Sequence, residues 1–525
     1  MIAAGRKKCQ FAHPASRRCS SFRILPIFRI HCARYLPEGW NHTLVSLKNF
    51  IAAQLAEDAV PPPAAVAQTP SLPAGAQVIA REKHNISRRQ ISDAALQVLN
   101  GLHRAGYQAY LVGGSVRDLL LGREPKDFDV CTDARPEEVR KLFRRNARLI
   151  GRRFILVHVQ FGREIIEVAT FRGGDSDAQT VSASGRILAD NVYGTLEEDA
   201  QRRDFTANAL YYNIADRSII DFWGAWADIE AQRLRMIGEA AQRFHEDPVR
   251  MLRAARFAAK LGFQLDPAIE SAIPACRELL REVPPARLYE ETGKLFLAGF
   301  AQQSLAVLQR YGLFAALFPQ LAELLERAEE GVARELIQLS LRNTDARIAA
   351  GKSVHPAFLF AAMLWPVLVA EQERLMQEDK PEVVAMQQAA SAVLEENRGQ
   401  IAIPRRFTLT IREIWDLQAR FHRRGGRRPY ALLAHARFRA AFDFLQLRCE
   451  AGADLGALAQ WWQQFQDADS EGRKELIEAA RQEDRDSESP LGPLPAGEAK
   501  RGKRRRRRRR NPKQASEPVA APEGE

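Results

Sequence analysis

The sequence predicts an α/β domain with a mainly antiparallel or mixed sheet, followed by an all-helical region that fills most of the remaining chain. Three observations predict it. Between residues 107 and 225, apolar runs of strand length alternate with short helical segments. From residue 226 the apolar positions recur with the 3.6-residue period of helices, and no β-branched alternating run of any length follows. Of the 525 residues, 46% are hydrophobic and 27% charged, so the chain can bury real cores. That length divides into roughly two to four domains.

The elements follow in order. Residues 1–80 differ from the rest. The stretch 17–35 is basic and apolar but lacks the clean apolar core of a secretory signal. The segment 58–74, DAVPPPAAVAQTPSLPA, is an Ala/Pro linker that cannot bury much surface. Residues 1–50 read as a disordered basic arm, as a translation start placed too far upstream, or as a transit-like or membrane-surface segment. Order is expected near Ser87. Ser92-Asp93 caps a helix that runs to Gly106. A strand at 107–112 breaks at Gly113-Gly114, and SVRDLLLG forms a short helix closed by Gly122. A strand returns at 127–131 and a helix at 135–143. Segments 154–160 and 164–171 flank Phe161-Gly162 as a hairpin, and 210–222 holds a further strand pair. Helices are expected at 247–260, 286–297, 301–317, 329–342, 383–396, 408–420, 428–447 and 453–466. The expected domains are a disordered arm and linker (1–80), the α/β domain (81–225), two helical domains (226–300 and 301–480) and a disordered Arg-rich tail (481–525).

Charge is placed unevenly. Residues 1–60 carry nine basic and three acidic side chains, and residues 500–525 carry eleven and three. With a formal net charge of +12 for the whole chain, the middle is close to neutral. A polyanionic partner reached partly through the ends is implied. The six cysteines form no CxxC pair, which suggests neither a zinc site nor a disulfide framework and fits a reducing compartment. The longest apolar run, 357–370, is shorter than the roughly 20 residues of a bilayer span, and Pro366 interrupts it. It reads as a buried helix, and no transmembrane segment is expected. Trp461-Trp462 falls in a helical pattern and reads as core rather than as a base-stacking pair.

The chemistry concentrates in two short motifs. Asp127 and Asp129 are two apart on a predicted strand, so both face one side while Phe128 faces the core. Their Cα atoms would lie about 6.5–7 Å apart. Two unpaired carboxylates on one face repel, and divalent cations remove that conflict. A solvated strand end is the bland alternative for such a pair. Gly113 and Gly114 stand just upstream, where a strand gives way to a helix. Glycine admits tight dihedrals and close approach of a ligand, and the free N–H groups from Ser115 onward can hold a phosphate. Arg117, in the first turn, is unfavourable with the helix dipole unless it meets an anion. A plain tight turn with a surface arginine is the alternative.

These residues carry a resemblance. LVGGSVRDLLLG at 111–122, followed by DFD at 127–129, resembles the nucleotidyltransferase signature of the class II tRNA nucleotidyltransferase and bacterial poly(A) polymerase family. RRDFTANAL at 202–210 and EDPVRMLRAARFAAKLGF at 246–263 resemble its downstream motifs, in the expected order. The resemblance covers about residues 78–470. GRRFILVHVQFG at 151–162 and the Arg-rich tail resemble the poly(A) polymerase branch. That branch often has a third glycine where this chain has Ser115. Serine is compatible with a helix N-cap, so little functional loss is expected.

The resemblance implies a nucleotidyltransferase head domain with helical neck, body and C-terminal domains. It implies two Mg²⁺ ions held by Asp127 and Asp129, with Asp204 as a third catalytic carboxylate and Arg202 and Arg203 beside it for phosphate. A local Arg–Asp salt bridge is the alternative for Asp204. Glu167, between Ile166 and Val168 on a predicted strand, competes for the third place. Asp247 suits a helix N-cap and Pro248 the first helical position. The resemblance gives Asp247 and Arg250 the reading of the incoming base, helped by Arg253. Gly113, Gly114, Ser115, Arg117 and Arg203 would hold ATP. The implied activity is untemplated addition of AMP from ATP to RNA 3′ ends with release of pyrophosphate, promoting RNA processing and decay in the cytoplasm. CCA addition to tRNA is the alternative, and a non-catalytic RNA-binding protein a more distant one. Seven consecutive arginines at 504–510 would contact backbone phosphates without reading sequence. RNA-decay or RNA-chaperone proteins are expected as further partners of that tail.

Overall fold

The computed structural model describes residues 75–151, 155–173, 180–181, 187–189, 192–327 and 331–487. The basic arm, the Ala/Pro linker, residues 152–154 of the GRRF segment and the arginine run of the tail lie outside the described residues. Eight strands form one mixed sheet: β1 Gln77–Ile79, β2 Ala109–Val112, β3 Asp129–Thr132, β4 Ala147–Ile150, β5 Leu156–Phe161, β6 Glu164–Thr170, β7 Leu210–Asn213 and β8 Ile219–Asp221. Their order is β1-β8-β7-β2-β3-β6-β5-β4. All pairings are antiparallel except β3 with β6.

The strands expected at 107–112 and 127–131 begin later, at Ala109 and Asp129. Asp127 therefore precedes its strand, although Phe128 is buried as the alternation requires. One face of the sheet carries Val130, Val157, Val159, Ile166 and Val168 into the main core. The helices α1 Asp93–Arg104 and α3 Pro136–Phe143 cover that face, and α2 Gly114–Leu120 follows β2. Ser92 caps α1, its Oγ accepting from the Ala95 N–H at 3.1 Å. On the opposite face, Tyr110, Val112, Cys131, Tyr211 and Ile220 pack with Leu196 and Ala200 of α4 Leu196–Gln201. Phe171, just past β6, also belongs to this second cover. On the same face of β4–β6, Arg148, Ile150 and Ile165 are exposed and His158 and Glu167 partly so.

Past β8 the expected all-helical region is interrupted by one short parallel pair, Arg233–Leu234 with Gln264–Leu265, and is otherwise helical, starting with α5 Ala225–Glu230, α6 Ala240–Glu246, α7 Val249–Leu261, α8 Pro267–Cys276 and α9 Pro285–Phe296. The single helix expected over 301–317 is two, Ala301–Arg310 and Leu313–Leu317, because Gly312 takes φ +70°. The stretch 428–447 likewise divides, into Arg428–Leu433 and Phe438–Glu450. The run 357–370 lies inside the helix Pro356–Gln377, buried along most of that run with Pro366 in its interior. The helices Pro319–Arg327 and Ser470–Ser487 go beyond what the apolar pattern predicts. Trp461 and Trp462 sit in a separate core with Phe421, Phe438 and Phe465. No helix among the described residues is long and apolar enough to cross a membrane.

Candidate active site

The carboxylates gather at the start of β3. The parallel pairing sets Asp129 opposite Glu167 on β6, and both project from the face away from the main core. Among the described residues, neither Asp127 nor Asp129 accepts a hydrogen bond or meets a cation at ion-pair distance. Glu167 has His158 beside it, Nε2 to Oε2 at 3.6 Å. The Asp129 carboxyl is pushed up to about 6. Crowding by protein weakens its hydration first, and the charges of Glu167 and Asp127 add to this against an opposing pull from Arg203.

The glycine turn lies at the same end of the sheet, since Val112 at the end of β2 pairs with Asp129. Gly113 has φ +74°, a backbone conformation that L side chains rarely adopt, so the turn needs glycine. Gly114 opens α2 and rests against Arg117. Two expectations change here. Gly113, not Ser115, occupies the N-cap, and the buried Ser115 Oγ donates to the Val112 carbonyl at 3.1 Å. Arg117 is taken up by internal partners. It is 2% exposed, grips Asp118 Oδ1 through Nε and Nη2 at 2.9 and 2.7 Å, donates to Asn208, and lies over the Phe257 ring.

The RRD segment is also more structural than its composition suggests. Asp204 accepts from Arg253 Nε at 2.7 Å, from Asn208 Nδ2 at 3.2 Å and from the Phe205 N–H at 2.9 Å. Burial alone would raise its carboxyl, but the Arg253 guanidinium and these donors hold it below the usual carboxylate value. Arg203 turns to Asp199 and the Tyr211 hydroxyl, both at 2.9 Å. Arg202 donates to the Gly173 carbonyl. The acid beside Asp129 is thus Glu167, while Asp204 is engaged by an arginine.

Asp247 joins α6 to α7. The Val249 N–H donates to its Oδ1 at 3.3 Å and Arg287 of α9 donates to its Oδ2 at 2.6 Å. Pro248 takes the N-cap position expected for Asp247, so the helix begins one residue later. Arg250 Nη1 donates to Glu246 Oε2 at 2.7 Å and to the Arg243 carbonyl at 2.8 Å. Sequence reasoning passes over several members of this neighbourhood. Arg243 ties the segments together, donating to the carbonyls of Arg202 and Arg203 at 3.0 and 2.7 Å. Glu246 and Asp199 stand at i,i+4 from Arg250 and Arg203, a spacing that could have found them. Phe257 falls on the helix face of Arg250 and Arg253, at i+4 from Arg253, and can be read from that spacing; Arg287 leaves no such local signal.

A mixed sheet with acids at a strand end beside a glycine turn, followed by helical domains, is the build of a nucleotidyltransferase. The family models agree. "Poly A polymerase head domain" matches residues 109–235, "Probable RNA and SrmB- binding site of polymerase A" residues 262–325, and "Polymerase A arginine-rich C-terminus" residues 378–511. Poly(A) polymerase I of Escherichia coli is 49% identical over 398 residues, 74% of this chain and 85% of that protein. Poly(A) polymerase I of Haemophilus influenzae is 45% identical over 410 residues, 76% of this chain and 90% of that protein. A solved CCA-adding enzyme in complex with CTP shares the fold, with TM-score 0.50, 19% identity, and 76% of this chain and 92% of that chain covered. The chain belongs to the bacterial poly(A) polymerase I family, the template-independent polynucleotide adenylyltransferases.

Proposed function

We propose that the chain extends RNA 3′ ends with AMP from ATP around Asp127 and Asp129, with Glu167 completing the carboxylate set. One observation carries this reading: three acids share one end of the sheet, and no arginine or lysine among the described residues forms an ion pair with any of them. An acid cluster left this way suits divalent cations. Among the described residues, no group of three His, Cys, Asp or Glu side chains is already closed around one point. That fits Mg²⁺, which is held by one or two carboxylates together with substrate phosphates. When bound, two such ions would acidify the RNA 3′-hydroxyl and neutralise charge on the triphosphate.

The chain's own residues do the positioning. The Gly113-Gly114 turn lets the triphosphate approach the backbone near β3. The 3′-hydroxyl oxygen then bonds to the α-phosphorus, the bond to pyrophosphate breaks, and the hydroxyl proton leaves. No strong side-chain base is required. Asp247 and Arg250 offer an acceptor and a donor to the base once their present partners are exchanged, and a mismatched edge would leave them unsatisfied. Asp204 acts through Arg253, holding α7 against the head. The assigned division is 81–225 for catalysis, 226–300 for nucleotide recognition and 301–480 for RNA, with the tail adding loose phosphate contacts. The proposed setting is the cytoplasm, in RNA processing and decay. The test is purified protein with Mg²⁺ and a generic RNA, given each nucleotide alone. Long tails with ATP only are expected. Arrest after a few residues with CTP and ATP would indicate CCA addition instead.

A further inference from the structure

The face of the sheet that carries Asp129 does not end at Glu167. The register continues it outward, from Asp129 to Glu167 on β6, to His158 on β5 and to Arg148 on the edge strand β4. All four side chains project from the same side, opposite the core-facing Val130, Val168, Val157 and Ala147. Flanking this row on the same face are Ile150 of β4 and Ile165 of β6, exposed by 43% and 49%. The His158 and Glu167 side chains are 34% and 46% exposed. Singly exposed apolar residues need no explanation, but here two of them border a charged row that leads straight to the carboxylates.

Resting on the reading of this chain as an enzyme that extends RNA, we propose that the open face of β4–β6 seats the last nucleotides of the acceptor RNA. Arg148 meets the phosphate backbone, and His158, Ile150 and Ile165 lie under bases. Topology gives the direction. β3 stands between β2, which ends in the Gly113 turn, and β6. In-line displacement requires the attacking oxygen and the leaving pyrophosphate on opposite sides of the α-phosphorus. With the triphosphate on the β2 side, the 3′-hydroxyl arrives from the β6 side. The alternative approach, over β2, is filled by Val112 and by Tyr211 of β7 beside it. Three strand steps of about 4.8 Å put Arg148 roughly 14 Å from Asp129. A stacked strand rising about 3.4 Å per nucleotide covers that span in a few residues. Charge agrees, because a polyanion drawn toward acids needs a cation along its path, and Arg148 supplies one at the outer end. Bases pack on histidine and aliphatic surface without sequence preference, as an enzyme with varied RNA ends requires.

The test is binding of a short single-stranded RNA without ATP or metal at several salt concentrations, together with steady-state extension. Arg148→Gln should flatten the slope of log K against log salt by about 0.7. It should also raise KM for RNA about tenfold, far more than it changes kcat or KM for ATP. His158→Ala and Ile165→Ser should weaken RNA binding with the slope retained. Arg148→Lys should restore the slope. Arg104→Gln, the same charge change on α1 over the other face, serves as control. Melting temperatures confirm that each variant is folded. An unchanged slope and KM for RNA in folded Arg148→Gln would overturn the proposal, as would an equal effect of Arg104→Gln. Failure of the parent protein to extend RNA with ATP would instead refute the reaction, and the binding arm would still judge the surface.

Discussion

Replacing Asp204 by Asn separates a carboxylate that holds the fold from one that holds metal. Its Oδ2 accepts from Arg253 Nη2 and Nε at 2.6 and 2.7 Å, with side-chain exposures of 12% for Asp204 and 30% for Arg253. Stranding one member of a buried pair costs about 3–5 kcal/mol. Arg253 keeps nearly a third of its surface in water, so screening reduces the expectation to about 2–3 kcal/mol. In a cooperative unit of 150–250 residues this corresponds to roughly 4–12 °C in Tm. The pH dependence has a definite sign. The Asp204 carboxyl titrates below its ordinary value. Its stabilisation is therefore complete above the ordinary carboxylate range and is lost as pH falls through the folded-state value. Parent and Asp204→Asn should differ most near neutral pH and converge in acid. Urea unfolding of both proteins, at neutral pH and at about pH 3, measures this. A variant within about 0.5 kcal/mol of the parent, with nucleotide addition abolished, would refute the reasoning and return Asp204 to the catalytic carboxylates.

Glu167→Gln removes a like charge beside Asp129, so the metal-free protein should keep or gain stability while addition falls by more than about tenfold. Matched Tm and kcat measurements check both halves. Asp247→Ala releases Arg287 and the Val249 N–H, and should cost about 0.5–2 kcal/mol. It should also lower the ratio of kcat/KM for ATP over CTP, whereas unchanged ratios would leave Asp247 a helix-start residue only. Removing residues 500–525 takes away eleven basic and three acidic side chains. Tm should hold, and the salt slope of RNA binding should flatten by about 0.7 for each phosphate that the arginines no longer neutralise; identical slopes would move the tail to another partner.

The fold is legible wherever its cause is local. Ser92 caps α1 because a hydroxyl meets an N–H three residues on, and the β5–β6 hairpin announces itself by Phe161-Gly162 between alternating runs. The parallel pairing of β3 with β6 is not local. It sets Asp129 beside Glu167 across an intervening helix and two strands, and no spacing in the sequence encodes that register. The candidate site divides in the same way. The Asp127/Asp129 pair and the Gly113 turn can be read because each is a few residues long. Arg117 and Asp204 read as ligands for substrate because the partners that complete their settings come from distant segments: Asn208 and Phe257, beside the adjacent Asp118, for the one, and Arg253 for the other. A lone charge in a sequence invites an external partner until the fold supplies an internal one.

Those internal partners meet at one ring. Phe257 of α7 has the guanidiniums of Arg117, Arg253 and Arg256 at 5.2, 5.4 and 4.9 Å from its centroid, with Phe205 edge-on at 5.6 Å. Each guanidinium also has its own acid: Asp118, Asp204 and Glu291. A ring face attracts cations, but three of them would repel without those acids. The seam between the sheet domain and α7 is therefore a balanced ionic cluster around an apolar pivot, and it fixes α7 relative to the carboxylates of β3. Untemplated choice of a nucleotide needs that rigidity, since the base must be read at a set distance from the reacting phosphate. The residues proposed to read the base are held differently. Asp247 pairs with Arg287 at side-chain exposures of 24% and 42%, whereas Arg250–Glu246, at 14% and 31%, is as sheltered as Asp204–Arg253. An ion pair open to water is worth little, so an incoming base can replace Arg287 on Asp247 at small cost. α7 is thus held firmly at its seam with the sheet domain, while Asp247, proposed to read the base, keeps an exchangeable partner.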